Sequence, residues 1–137
     1  MAYRRIRKRF VPPAPKRRGQ SKVNKSSAFW AKLARTEPNN AEMTLFGIMN
    51  YLGLSYRYTG NGSFIFMGMA PDFVHNTKQK IIELYGERWH APEEEEERIK
   101  LFARSDYQTL IVWQKELRPR SIERKCLYKK LLDFEQL

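Results

Sequence analysis

Apolar residues recur along this chain with two different periods, and the switches between them divide it into elements. Leu45, Ile48, Met49 and Leu52 fall at helical spacing behind Asn39-Asn40-Ala41-Glu42 and ahead of Gly53. That pattern predicts a helix opened by a capping box from Asn39 to Glu42 and stopped by a glycine at C′. A shorter helix is expected over Ala28 to Arg35, capped by Ser27, with Phe29, Trp30 and Leu33 as its apolar stripe and Pro38 as its end. It would dock the preceding segment onto the body or onto a partner. From Ser55 the period becomes two: Tyr56 and Tyr58 alternate, Gly60-Asn61-Gly62 is a turn, and Ser63 to Met67 resumes as a strand, which predicts a β-hairpin.

The next stretch, Pro71 to His90, reads as a second hairpin with His75-Asn76-Thr77-Lys78 as its turn. It carries Asp72 and Glu83 where strands normally place apolar residues. If Val74 pairs with Gln79, Asp72 lies opposite Ile81, and Glu83 projects from the same face as a diagonal neighbour, about 7 Å away. Phe73, Ile82 and Leu84 then share the opposite, apolar face. Two carboxylates that close repel each other unless a cation neutralises them, and Mg²⁺, bound by one or two carboxylates with several waters, is the usual one. The plainer alternative is a pair of solvated strand residues facing Lys78 and Lys80.

After Gly86, Pro92 and five glutamates, Glu93 to Glu97, open a helix that continues through Ile99, Leu101 and Phe102. Acids in a first turn suit the helix dipole and proline suits N1, so the glutamate run reads as a solvated helix start. Tyr107 to Trp113 is a buried strand, and the strand-helix-strand order implies a right-handed parallel crossover. Ser121 to Phe134 closes the chain as a basic amphipathic helix, with Ile122, Cys126 or Leu127, Leu131 and Phe134 inward and Arg124, Lys125, Lys129 and Lys130 outward.

Charge changes this picture most. The 137 residues carry 26 Lys+Arg against 15 Asp+Glu, a net +11, yet the first acidic residue is Glu37 and twelve basic residues precede it. The rest is close to neutral, so the excess belongs to an N-terminal arm. Arg4, Arg5, Arg7, Lys8 and Arg9 form one cluster and Lys16, Arg17 and Arg18 another, followed by Lys22 and Lys25. Such a segment cannot bury a core and is expected to be disordered alone; neutralising phosphates is its natural task, with Tyr3 and Phe10 available to stack. A solubilising or localising tail is the alternative. A division into an arm with its short helix, 1–38, and a body, 39–137, follows.

Cys126 is the only cysteine, which excludes an intrachain disulfide and a cysteine-based zinc site and suits a reducing compartment. No apolar run has the length of a signal h-region or of a membrane span, so no membrane association is expected. An organellar transit peptide, leading to a matrix location, is disfavoured by Pro12, Pro13 and Pro15, which break the helix such peptides use.

A helix with an early glutamate, a hairpin, a Pro-Asp-Phe strand, an apolar strand, Gly86-x-x-Trp89-His90, a helix and the strand Leu110-Ile111-Val112-Trp113 follow one another between about Asn40 and Leu117. In that order they resemble the very-short-patch-repair (Vsr) type of endonuclease and the related phage homing endonucleases, a branch of the PD-(D/E)xK restriction-endonuclease superfamily. The resemblance implies a restriction-endonuclease-like α/β core, α-β-β-β-α-β-α, with a mixed sheet flanked by helices. It places the family's helix acid on Glu42, its metal-binding aspartate on Asp72, its second metal-binding acid on Glu83 and its active-site histidine on His90. The chain departs at Tyr85, where the superfamily carries a lysine. The reading that follows is a Mg²⁺-dependent (or Mn²⁺-dependent) DNA endonuclease, cytoplasmic or phage-encoded and intracellular, acting alone, as a homodimer or within a larger nucleoprotein complex. Asp72 and Glu83 would hold the metal, His90 would activate water and Glu42 would share the metal's shell. The competing class is a non-catalytic nucleic-acid-binding protein on a nuclease-like fold, such as a ribonucleoprotein subunit, with RNA as an alternative partner.

Overall fold

The computed structural model describes residues 27–137, so the basic clusters Arg4 to Arg9 and Lys16 to Arg18, with Lys22 and Lys25, lie outside the described residues. Helix α1 spans Ser27–Ala34 and α2 spans Asn40–Tyr51. Strands β1, β2 and β3 are Tyr56–Tyr58, Phe73–His75 and Lys80–Tyr85. Helix α3, Pro92–Ala103, crosses to β4, Gln108–Trp113, and a short 3-10 turn, Gln114–Leu117, leads into α4, Ile122–Glu135.

The four strands form one mixed sheet in the order β1-β2-β3-β4, antiparallel except for the parallel β3–β4 pair. The parallel pair is what a helical crossover between consecutive strands requires. From α2 onward the order is α-β-β-β-α-β-α.

Helix α2 begins and ends as its sequence dictates. Asn39 Oδ1 accepts from the Glu42 N–H at 2.9 Å and Glu42 Oε2 accepts from the Asn39 N–H at 2.9 Å, the reciprocal capping box. Gly53, at φ +74°, supplies the left-handed C′ residue; its N–H donates to Asn50 O and the Leu54 N–H donates to Met49 O, a Schellman stop. Leu45, Ile48 and Met49 are buried against one face of the sheet with Phe73, Ile82 and Val112, and Leu127, Leu131 and Phe134 of α4 complete that core. The other face carries Val74, Ile81 and Phe102, covered by α3 and by the loop that holds Phe64, Phe66 and Met67.

Four expectations are corrected. Ser63 to Met67 is not a strand: β1 pairs with β2 directly, Tyr56 opposite His75, and the 63–67 segment makes only an isolated bridge, Phe66 with Met69. Its aromatic residues cap the second core instead, Phe66 lying 4.6 Å from the Tyr107 ring and 5.4 Å from the Phe102 ring. The hairpin register is also shifted. Val74 pairs with Ile81 and Phe73 with Ile82, because His75 ends the strand and organises the turn, its Nδ1 accepting from the backbone N–H groups of Thr77 and Lys78 at 3.1 and 3.0 Å. On α4, Ile122 is exposed and so is Cys126, leaving Leu127 as the inward residue of that turn. Arg124 and Lys130, expected in solvent, are half-buried, and Lys130 donates to Ile111 O at 2.7 Å.

Helix α1 docks on the body through Leu33, whose Cδ2 stands 2.8 Å from where a β-carbon on Gly62 would sit. Gly62 also has φ +80°, so only glycine serves there.

Candidate functional site

The two-residue shift in register preserves the parity of the strands, and it brings the acids closer than expected. Extending the Phe73–Ile82 pairing by one residue sets Asp72 directly across from Glu83. There the backbone ladder of β2 and β3 gives out and the carboxylates take over its bonds. Asp72 Oδ2 accepts from the Leu84 N–H at 2.8 Å, and Glu83 Oε2 accepts from the Asp72 N–H at 3.3 Å. Asp72 is held from the other side too, its carbonyl accepting from the Thr59 N–H at 2.8 Å.

Electrostatics separates the two acids. Glu83 is 4% exposed and its Oε1 receives Arg98 Nη1 of α3 at 2.7 Å. Burial raises the Glu83 pKa, and the guanidinium pulls in the opposite direction. Asp72 has no such cation. Burial first, then the charge of Glu83 and next that of Glu42, pushes its carboxyl well above the usual range, with the Leu84 N–H opposing. Of the two, Asp72 is the one pushed upward with no cation to oppose it.

Glu42 approaches from the first turn of α2. Besides capping that helix it bonds Tyr58, whose hydroxyl pKa is raised to about 12, first by burial and then by the charges of Glu42 and Asp72. The bland and the functional roles of Glu42 are thus compatible in one side chain.

His90 follows the turn after β3, its N–H donating to Gly86 O at 3.1 Å. The ring lies flat on Tyr85, centroids 3.8 Å apart and planes 12° from parallel, and Tyr85 in turn meets Trp113 edge-on at 5.5 Å. His90 Nδ1 is 2.8 Å from Glu94 Oε2, and this bond lowers the Glu94 pKa. A carboxylate can only accept, so Nδ1 carries the proton and Nε2 keeps a free lone pair. Tyr85, where a lysine was the family expectation, is a buried neutral phenol with its pKa raised to about 12 by burial, Arg98 opposing. A cleft of about 440 Å³ brings Glu42 and His90 to a common space, with Asn39, Leu84, Gly86 and Gln114 among its walls.

Two polar groups here were not singled out from sequence: Glu94 and Arg98. Their signal was the spacing His90, Glu94, Arg98, four residues apart each time, which the glutamate run obscured. The rest of that run behaves as expected, Glu93, Glu96 and Glu97 being exposed and Glu95 accepting from Trp113 Nε1 at 3.0 Å. His75, given no chemistry, is buried and structural: with Nδ1 accepting in the turn, its Nε2–H donates to Glu135 at 3.1 Å.

Among the described residues no three His, Cys, Asp or Glu side chains converge as a ready-made metal cage. Asp72 and Glu83 supply hard oxygen donors of the kind Mg²⁺ takes, and a dication beside them would offset the repulsion between them. Among the described residues no helix is long and apolar enough to cross a membrane.

The mixed four-stranded sheet flanked by helices is consistent with a nuclease-like α/β fold. No protein-family model matches the sequence, and no curated protein is significantly similar to it. The fold has a solved counterpart in the homing endonuclease I-Bth0305I catalytic domain, matched with probability 1.00 and a TM-score of 0.53. The match covers 71% of this chain and 94% of that domain at 15% sequence identity, so what the two share is the fold.

Proposed function

We infer that this protein is a Mg²⁺-dependent endonuclease, of the Vsr-like and homing type within the PD-(D/E)xK superfamily, that hydrolyses phosphodiester bonds in DNA. The observation that carries the reading is the Asp72–Glu83 pair. Two carboxylates face each other where β2 and β3 separate, one of them forced toward protonation, with a histidine of fixed tautomer in the adjoining cleft.

Asp72 and Glu83 would hold the metal, which would supply polarisation of the phosphate and screening of its developing charge. His90 accepts a proton from the attacking water at Nε2; Glu94 fixes the tautomer through Nδ1 and Tyr85 fixes the plane of the ring. Glu42, anchored by the Asn39 N–H and by Tyr58, would position or share the metal's shell. Arg98 serves in place of the superfamily lysine that Tyr85 replaces. It neutralises Glu83 and has further N–H donors for a phosphate oxygen. In this reading residues 1–38 supply non-specific phosphate contacts and residues 39–137 the chemistry.

The competing reading, a binding protein on the same fold, draws support from Tyr85. The two differ in one assay. The endonuclease nicks supercoiled plasmid with Mg²⁺ and stops in EDTA; the binding protein shifts the plasmid on a gel and leaves it supercoiled under both conditions.

A further inference from the structure

The cleft that holds His90 and Glu42 does not end there. Asn40, Ala41 and Gln114 line it and also line a second recess of about 680 Å³, so the two lie side by side. The second recess is walled by Lys115 of the 3-10 turn, by Arg118 and by Arg124 of α4. Its one acidic lining residue, Glu87, accepts from the Lys115 N–H at 3.0 Å through Oε1, so three cations face a single carboxylate there.

The charge in this recess is unspent. Among the described residues Lys78, Arg98, Lys100, Lys129 and Lys130 each pair with a carboxylate, whereas Lys115, Arg118 and Arg124 form no ion pair. Eight other cations among the described residues form no ion pair either; what sets Lys115, Arg118 and Arg124 apart is that they line one recess beside the cleft. One of the three cations is also held in place. Arg124 Nη1 donates to Leu117 O at 3.2 Å, and the Ser121 cap, accepting from the Arg124 N–H at 3.1 Å, fixes the start of α4. Asn40 and Ala41, the first residues of α2, add backbone N–H groups that have no acceptor within the helix.

We propose that Lys115, Arg118 and Arg124, with the start of α2, form a phosphate track that seats the nucleic-acid backbone to one side of the phosphate cleaved at Asp72, Glu83 and His90. This rests on the endonuclease reading and adds a binding surface on the body itself, separate from the basic arm. The arm contributes affinity along any duplex, and the track fixes which phosphate reaches the cleft. Sequence reasoning placed all nucleic-acid contact on the arm, although residues 115–125 carry five basic residues against Glu116 and Glu123. The fold turns Glu116 away to pair with Lys130 at 3.0 Å.

The test uses the full chain and a short fluorescein-labelled DNA duplex in EDTA, with binding followed by anisotropy over a range of salt concentrations. Replacing Lys115, Arg118 and Arg124 together by alanine flattens the log-log salt slope by about 2 to 3 units, at about 0.9 per phosphate contact. The pair Lys115→Ala/Arg118→Ala, which spares the Arg124–Leu117 bond, flattens it by about 2 units, and Arg118→Lys leaves it near wild type. Lys100→Ala/Lys129→Ala, which removes two ion-paired cations elsewhere, serves as the control and leaves the slope unchanged. If the triple variant keeps the wild-type slope while the wild type binds and nicks with Mg²⁺, the track is refuted and the endonuclease reading stands. If the wild type shows no salt-dependent binding, both fall.

Discussion

Replacing Arg98 by alanine removes the guanidinium that faces Glu83 at 2.7 Å and strands a carboxylate whose side chain is only 5% exposed. Breaking a buried pair from one side costs about 3 to 5 kcal/mol; because Arg98 is itself 22% exposed, the expected loss is at the lower end, about 3 kcal/mol. The loss depends on pH, and its sign is fixed. Burial already raises the Glu83 pKa and Arg98 opposes that rise, so without Arg98 the folded-state value climbs further above the unfolded value of about 4.3. A carboxyl raised in this way contributes stability that is fully present below the unfolded pKa and is lost as pH rises through the folded one. The variant's deficit is therefore small near pH 4, below the unfolded value, and larger near pH 8, well above it. Urea unfolding of wild type and Arg98→Ala at the two pH values, followed by tryptophan fluorescence, measures it. The double variant Glu83→Gln/Arg98→Met recovers most of the loss, since no charge is left stranded. A deficit below about 0.5 kcal/mol at both pH values, the scale of an ordinary surface substitution, would refute the assignment of Arg98 as Glu83's counter-charge.

Other consequences follow from the roles assigned in the cleft and the arm. Glu83→Gln suppresses nicking but recovers part of it at high Mg²⁺ or with Mn²⁺, because water can replace one ligand in an octahedral shell; no recovery at any metal concentration contradicts a ligand role. His90→Ala lowers the single-turnover cleavage rate by about 10² to 10⁴, and the residual rate rises with pH as hydroxide replaces the base; a loss under about threefold removes His90 from the chemistry. Deleting residues 1–25 takes away ten basic groups and flattens the salt dependence of binding by several units at about 0.9 per contact, and an unchanged slope contradicts the arm's role.

The elements legible in the sequence are those with local punctuation. Asn39 with Glu42, Gly53, Pro92 and Ser121 each fix a helix end by backbone chemistry that needs no tertiary context. The Ser63–Met67 strand failed because alternation alone does not distinguish a strand from a loop whose aromatic residues plug a core; Met67 at φ 54° and Gly68 at φ 75° turn the chain back before a ladder can form. The register of the second hairpin was set by a side chain, the His75 imidazole, that sequence counting treats as turn filler. Asp72 and Glu83 could still be placed on one face because a two-residue slip leaves the side-chain period intact. Arg98 and Glu94 were not legible, since what selects them is the docking of α3 over the end of β3, a contact between segments that each look adequately explained alone.

The most direct test of the central claim compares wild type with Asp72→Asn on the same supercoiled plasmid, scoring binding and nicking together. Wild type nicks in Mg²⁺ and not in EDTA. Asp72→Asn keeps the side chain's size, loses the metal's anionic ligand and relieves the repulsion among Asp72, Glu83 and Glu42. It therefore binds the plasmid at least as well, unfolds at a temperature about 3 to 8 °C higher in the absence of metal, and makes no nicks at any pH. Nicking that persists unchanged in purified Asp72→Asn, or wild-type protein that binds the plasmid and never nicks it with Mg²⁺ or Mn²⁺, would contradict the account.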